Sequence, residues 1–253
     1  MPGGFVTAPR LRGALRIVAD EPTLRTTLAD LFVAEAREAV APRGSFAVAL
    51  AGGNTPKGAY ALLAEEPRRS QVDWGRVRVF FSDERCVPPD DPQSNFGMAQ
   101  RTLLSNVPIP AAHVHRMRGE LPPEEAASAY ADVLREVLGE DPVFDLVMLG
   151  LGADGHTASL FPGTPVVGER RLLVAAPFVP QLGTHRLTLT PRVINNARRV
   201  VIAAAGWEKA EALRRALDGP FDPNVTPVQV VQPVSGELTW LVDEAAASRL
   251  SSR

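Results

Sequence analysis

The segment Phe144 to Pro162, FDLVMLGLGADGHTASLFP, constrains the fold more than any other. It opens as an apolar run, Phe144–Leu149, which reads as a buried strand. It then breaks on Gly150, Gly152 and Gly155 and presents Asp154 and His156 at the strand's end. Glycines there let the backbone approach a ligand closely. An aspartate and a histidine two residues apart suit an orienting carboxylate and a general base. The glycine spacing also matches a dinucleotide fingerprint, which requires a long helix after the glycines. Pro162 and Pro165 follow too closely for that helix, because proline disrupts a helix interior.

Around this segment, strand-like and helix-like runs alternate. Strands are expected at Leu15–Ala19, Ser45–Ala51, Val77–Ser82, Leu172–Ala176, Arg186–Thr190, Arg199–Ala205 and Leu238–Val242. Helices are expected at Glu21–Val40, Pro56–Ala64, from a Ser94 cap to about Leu104, and at Pro123–Leu138, Trp207–Leu217 and Ala245–Leu250. The alternation predicts an α/β fold, a mostly parallel sheet covered by helices on both faces. No internal repeat or shift of composition divides residues 1–253, so one domain is expected. Ligands in such sheets bind beyond the carboxyl ends of the strands.

Composition narrows the classes of partner. A hydrophobic content of 45% supports a sizeable core, and a net charge of −2 gives no footprint for nucleic acid. Cys86 is the sole cysteine, so an intrachain disulfide is impossible. Neither a signal-peptide core nor a run of about 18 apolar residues is present. A cytoplasmic protein that does not enter membranes is the expectation.

Three further strand ends carry chemistry. Gly52-Gly53-Asn54-Thr55-Pro56 frees backbone N–H groups at a helix start, a ready anion site, although the Lys-Ser/Thr of a nucleotide loop is missing. Asp83 and Arg85 in SDERC share one face if the strand persists, while Glu84 points the other way. Arg85 suits a forked grip on phosphate or carboxylate. Cys86 has no histidine partner in sequence and reads as structural. Lys209, in GWEK after the next strand, opposes the helix dipole unless an anion binds there. Arg186, at the start of RLTLT, is expected to add a cation. His113 and His115 form an H-x-H pair without a third ligand, so no metal is expected. Together these features describe a small phosphorylated substrate and acid–base chemistry.

The same segments resemble the 6-phosphogluconolactonase family. ALAGGNTPKGAYALL, VFFSDERCVPPDDPQSNFGMAQRTLL, FDLVMLGLGADGHTASLFPGT, RLTLTPRVINNARRV and GWEKAEAL come in the family's order. The resemblance implies a modified Rossmann-like fold shared with glucosamine-6-phosphate deaminase. It implies hydrolysis of 6-phospho-D-glucono-1,5-lactone in the oxidative pentose phosphate pathway, without a cofactor or metal. His156 would be the base that activates water, and Asp154 its partner. Gly52, Gly53, Asn54, Thr55, Asp83, Gly155, Arg85, Arg186 and Lys209 would contact the phosphorylated sugar lactone. The chain departs from the family's pattern at Gly183-Thr184-His185 and in VTPVQVVQPVSG. A deaminase is one alternative, but Ser159-Leu160-Phe161-Pro162 lacks the acid that enzyme places after the histidine. A non-catalytic sugar-phosphate sensor is the other, and it has no need of Asp154 and His156.

Overall fold

A computed structural model describes residues 13–251. Its ten strands are β1 (Ala14–Val18), β2 (Phe46–Leu50), β3 (Val77–Phe81), β4 (Asp83–Arg85), β5 (Leu146–Gly150), β6 (Val174–Ala175), β7 (Phe178–Val179), β8 (Thr184–Leu189), β9 (Arg199–Ala204) and β10 (Glu237–Asp243). The helices are α1 (Glu21–Arg43), α2 (Asn54–Leu63), α3 (Arg68–Gln71), α4 (Asn95–Ala99), α5 (Pro123–Leu138), α6 (Pro191–Ile194) and α7 (Ala210–Leu217).

Six strands pair in the order β1-β10-β9-β5-β2-β3, and every pairing is parallel. Both faces are covered, which is why β2 is buried at every residue of FAVAL rather than at alternate ones. One face packs against α1 and α2 through Leu24, Leu28, Phe32 and Tyr60. The other packs against α5 and α7 through Tyr130, Leu134 and Leu213. The start of α1 is capped by Asp20, which accepts the Thr23 N–H at 2.8 Å. Its end is closed by Gly44, at φ 74°, whose N–H returns to the Val40 carbonyl. Among the described residues no helix is long and apolar enough to cross a membrane.

A small antiparallel sheet, β4-β8-β6 with β7 added to β8, sits beside the carboxyl edge of β3. Ser82 joins the two sheets. Its N–H donates to the Leu50 carbonyl and its own carbonyl accepts from Leu189, each at 2.8 Å. Several expected elements are shorter in the structure. Leu172–Ala176 contributes only the two-residue β6. Ala245–Leu250 is one 3₁₀ turn, Ala246–Arg249, too short for the expected helix. The helix capped by Ser94 becomes π-helical over Gln100–Leu104.

The chain turns from β2 to β3 on one side, and β5 lies on the other side of β2. That reversal opens a crevice at the carboxyl ends of the strands, where ligands bind in sheets of this kind.

Candidate active site

Two buried tyrosines shape the rim of the crevice. The Tyr60 hydroxyl donates to the Ala51 carbonyl at 2.9 Å and accepts the Ala51 N–H at 3.0 Å. This fixes the end of β2 just before Gly52. Tyr130, from α5, accepts the Phe81 N–H at 2.9 Å at the end of β3. Burial raises both phenols well above their usual range, so they remain neutral hydrogen-bonding struts. For Tyr130 the nearby Glu84 carboxylate adds to the same rise.

The Gly52-Gly53-Asn54-Thr55 corner starts α2. Gly53, at φ 99°, needs the freedom of glycine, and a Cβ on Gly52 would collide with the Asn95 amide. No side chain caps α2, so its first N–H groups are available to a ligand. Gly52, Gly53, Asn54, Thr55, Asp83, Arg85, His156 and Lys209 all line one cavity of about 220 Å³. Asn54, Thr55 and Lys209 also line an adjoining cavity, so these three lie together at the boundary between the two. Lys209 ends a 3₁₀ turn, Trp207–Lys209, that leads into α7.

His156 faces this cavity with its ring stacked on Phe161, centroids 4.3 Å apart. Its Nδ1 lies 2.6 Å from Asp154 Oδ1, which also accepts the His156 backbone N–H at 3.0 Å. A carboxylate on Nδ1 favours the proton there and leaves the Nε2 lone pair free. Burial alone would raise the Asp154 pKa. The bonds from the His156 ring and backbone outweigh it and hold the carboxyl below its usual value. Asp154 itself does not line the cavity and stands behind the histidine. Gly152 is required because a Cβ there would strike the His156 ring. This glycine makes room for an imidazole rather than for a pyrophosphate. After the loop comes only the 3₁₀ turn Pro165–Gly168, so no dinucleotide helix forms.

In β4, Glu84 is buried while Asp83 and Arg85 are partly exposed, as alternation requires. Glu84 caps α4 by accepting the N–H groups of Asn95 at 2.7 Å and Phe96 at 2.8 Å. Burial raises its pKa, and those N–H bonds pull it back only in part. Arg85 is steadied by a bond from its Nη1 to the Gln93 carbonyl. Asp83 is held by two residues that the sequence did not single out. Ser159 Oγ donates to its Oδ2 at 2.7 Å and Asn95 Nδ2 to its Oδ1 at 3.1 Å. Neither link has a signal in local spacing, since Ser159 and Asp83 are 76 positions apart.

Two expected contacts lie outside the cavity. Arg186 pairs with Arg85 across the β4–β8 ladder, but its Nη1 turns back to the His185 carbonyl at 3.2 Å. Burial, and then the charge of Arg85, lower its pKa. Gly155, at φ 94°, sits in the turn and packs on Thr226, not on the cavity. His113, His115 and Cys86 also do not line it. Burial raises the Cys86 thiol pKa, which works against a nucleophilic thiolate. Among the described residues no group of three or more His, Cys, Asp or Glu side chains is placed to hold a metal ion.

The family model for glucosamine-6-phosphate isomerases/6-phosphogluconolactonase matches residues 19–240, and the chain belongs to this family. A 6-phosphogluconolactonase from Synechocystis is 43% identical over 84% of this chain and 88% of its own length. The Homo sapiens 6-phosphogluconolactonase is 40% identical over 94% of each chain. The solved structure of 6-phosphogluconolactonase from Trypanosoma cruzi superposes with a TM-score of 0.86, at 30% identity, over 97% of this chain and 99% of that one.

Proposed function

We propose that this chain hydrolyses 6-phospho-D-glucono-1,5-lactone to 6-phosphogluconate, with His156 as the general base. The observation that carries the reading is His156 itself. Its ring lines the cavity while its Nδ1 is occupied by Asp154. Nε2 is then the atom that takes a proton from water. The water oxygen adds to the lactone carbonyl carbon and gives a tetrahedral oxyanion. Collapse breaks the bond from that carbon to the ring oxygen, which receives the proton held on His156. The products are the carboxylic acid, ionised near neutrality, and a free hydroxyl.

The other side chains divide the remaining work. Lys209 and the uncapped start of α2 hold the phosphate, whose binding energy places the ring. Arg85, which lines the first cavity but not the adjoining one, stabilises the oxyanion as charge develops. Asp83 keeps acceptor capacity beyond its bonds to Ser159 and Asn95, which suits a sugar hydroxyl. A deaminase reading is not favoured, because Ser159-Leu160-Phe161-Pro162 after the histidine supplies no acid for ring opening.

The deciding experiment is the rate of lactone hydrolysis, corrected for the spontaneous reaction, in wild type and His156→Ala. Saturable acceleration by the wild type that is lost in the variant supports the reading. No acceleration by the wild type, or equal rates, would overturn it.

A further inference from the structure

The loop bearing Asp154 and His156 is gripped from outside the sheet, by the chain between Arg215 and Val228. Arg215, on α7, donates from Nη2 to the Ala153 carbonyl at 3.2 Å. The Val228 N–H donates to the Gly155 carbonyl at 3.0 Å. The Gly163 N–H donates to the Asn224 carbonyl, also at 3.0 Å. The loop is therefore held near its start, in its middle and beyond its end. A Cβ on Gly155 would come within 3.3 Å of Thr226 Cα, so the middle contact is close as well as bonded.

Gln229 braces this grip and is only 7% exposed. Its Oε1 accepts the Asp222 N–H at 2.8 Å, and its Nε2 donates to the carbonyls of Arg215 at 3.1 Å and Pro220 at 3.0 Å. One buried amide thus fastens the strap to the backbone of the residue whose side chain holds Ala153. The Arg215 Nε is buried without a hydrogen-bond partner. A buried unpaired donor is unfavourable, so packing and the Ala153 bond must offset it.

We propose that Arg215, braced by Gln229, is a positioning residue for the Asp154–His156 pair, an inference that rests on reading His156 as the base. The Ala153 carbonyl belongs to the peptide unit that continues into Asp154. Rotation of that unit swings the Asp154 carboxylate and opens its 2.6 Å contact with His156 Nδ1. Small misplacements of a catalytic group are costly to turnover. Arg215 meets the loop at the Ala153 carbonyl, while the Asp154 carboxylate is bonded to His156. Arg215 therefore acts through geometry, and another long donor should replace it.

The test compares Arg215→Ala, Arg215→Lys and Gln229→Ala. In Arg215→Ala, kcat on the phosphorylated lactone should fall about tenfold while KM stays within about twofold. Arg215→Lys should recover to within about threefold of wild type, and Gln229→Ala should fall in the same direction as Arg215→Ala. In the ligand-free protein, the nitrogen-15 NMR signature of a proton on His156 Nδ1 should weaken in Arg215→Ala and return in Arg215→Lys. Wild-type kcat with an unchanged histidine signal in Arg215→Ala would overturn the proposal. So would equal losses in Arg215→Ala and Arg215→Lys. If Arg215→Ala does not fold, Arg215→Gln and Gln229→Ala carry the same two readouts. If the wild type proves inactive on the lactone, the functional reading fails, while the NMR comparison still decides whether Arg215 positions the pair.

Discussion

The two ends of the parallel sheet use charge in opposite ways. At the amino ends of the strands, Asp145 is buried and fully engaged. It accepts the Ala47 N–H at 2.8 Å and pairs with Arg43 at 2.8 Å and Arg198 at 3.5 Å. At the carboxyl ends, none of Arg85, Arg186 and Lys209 takes part in an ion pair with a carboxylate of the described residues. A charge matched by the protein serves the fold. Two of the unmatched charges, Arg85 and Lys209, line the cavity, where the proposed substrate would meet them. Neighbours in β4 divide in a similar way, Glu84 buried as a helix cap and Asp83 held by Ser159 and Asn95 at the cavity.

Mutations at the two ends of the sheet should have different effects. The largest effect should come from His156→Ala, which is expected to lower kcat by about 10²–10⁴-fold with a smaller change in KM. Steady-state kinetics check it, and a stability like that of wild type should accompany the loss. Asp145→Ala should do the reverse. Removing the buried carboxylate leaves the Ala47 N–H unpaired while Arg43 and Arg198 reach solvent, so unfolding free energy should fall by about 1–3 kcal/mol, measured by denaturant titration, with KM unchanged.

Lys209→Ala should follow, with a loss of about 1.5–3 kcal/mol in kcat/KM on the phosphorylated lactone. Unphosphorylated gluconolactone should show almost no loss, since it has no anion to forfeit. Equal losses on both substrates would place Lys209 at the carbonyl or in the fold.

A subtler test uses pH. Asp154 has its carboxyl held below the ordinary value of 3.8. A lowered folded-state pKa means its contribution is complete above that ordinary value and fades only as pH falls through the lowered one. Any fall of activity that sets in above the ordinary aspartate value therefore should not report Asp154. Asp154→Asn should reduce kcat without changing the shape of the pH–rate profile above about pH 5, measured by steady-state kinetics. The smallest expected effect is that of chelation, since the described residues place no three His, Cys, Asp or Glu side chains together for a metal ion. Activity should be unchanged after prolonged EDTA, and loss restored by zinc or magnesium would refute the histidine–water mechanism.

Much of this division is legible in the sequence. The strand ends announce themselves because glycines and polar residues abruptly follow apolar runs, as at Ala51-Gly52 and Leu149-Gly150. Alternation alone assigns Glu84 and Asp83 to opposite faces, and β4 has that alternation. The short strands β4, β6 and β7 are harder to foresee, since two or three residues do not establish a period. The family resemblance groups Gly155 and Arg186 with the substrate contacts, and a motif does not say which way each side of the chain faces. Thr226 fills the space beside one, and the other turns back on its own strand. Ser159, Asn95 and Arg215 give no signal because their partners are supplied by the fold, not by neighbours in the chain.

The place of β10 has a consequence in time. It lies between β1 and β9, and pairs Ala14 with Thr239. As the chain leaves the ribosome, β1 emerges before every other strand described and waits for β10, the last of them. Until β10 arrives, the edge of β9 stays open, and pairings between such distant segments are slow to form. The nascent chain is thus most exposed to unwanted association in the interval before that strand appears, although every residue of the crevice has by then been made.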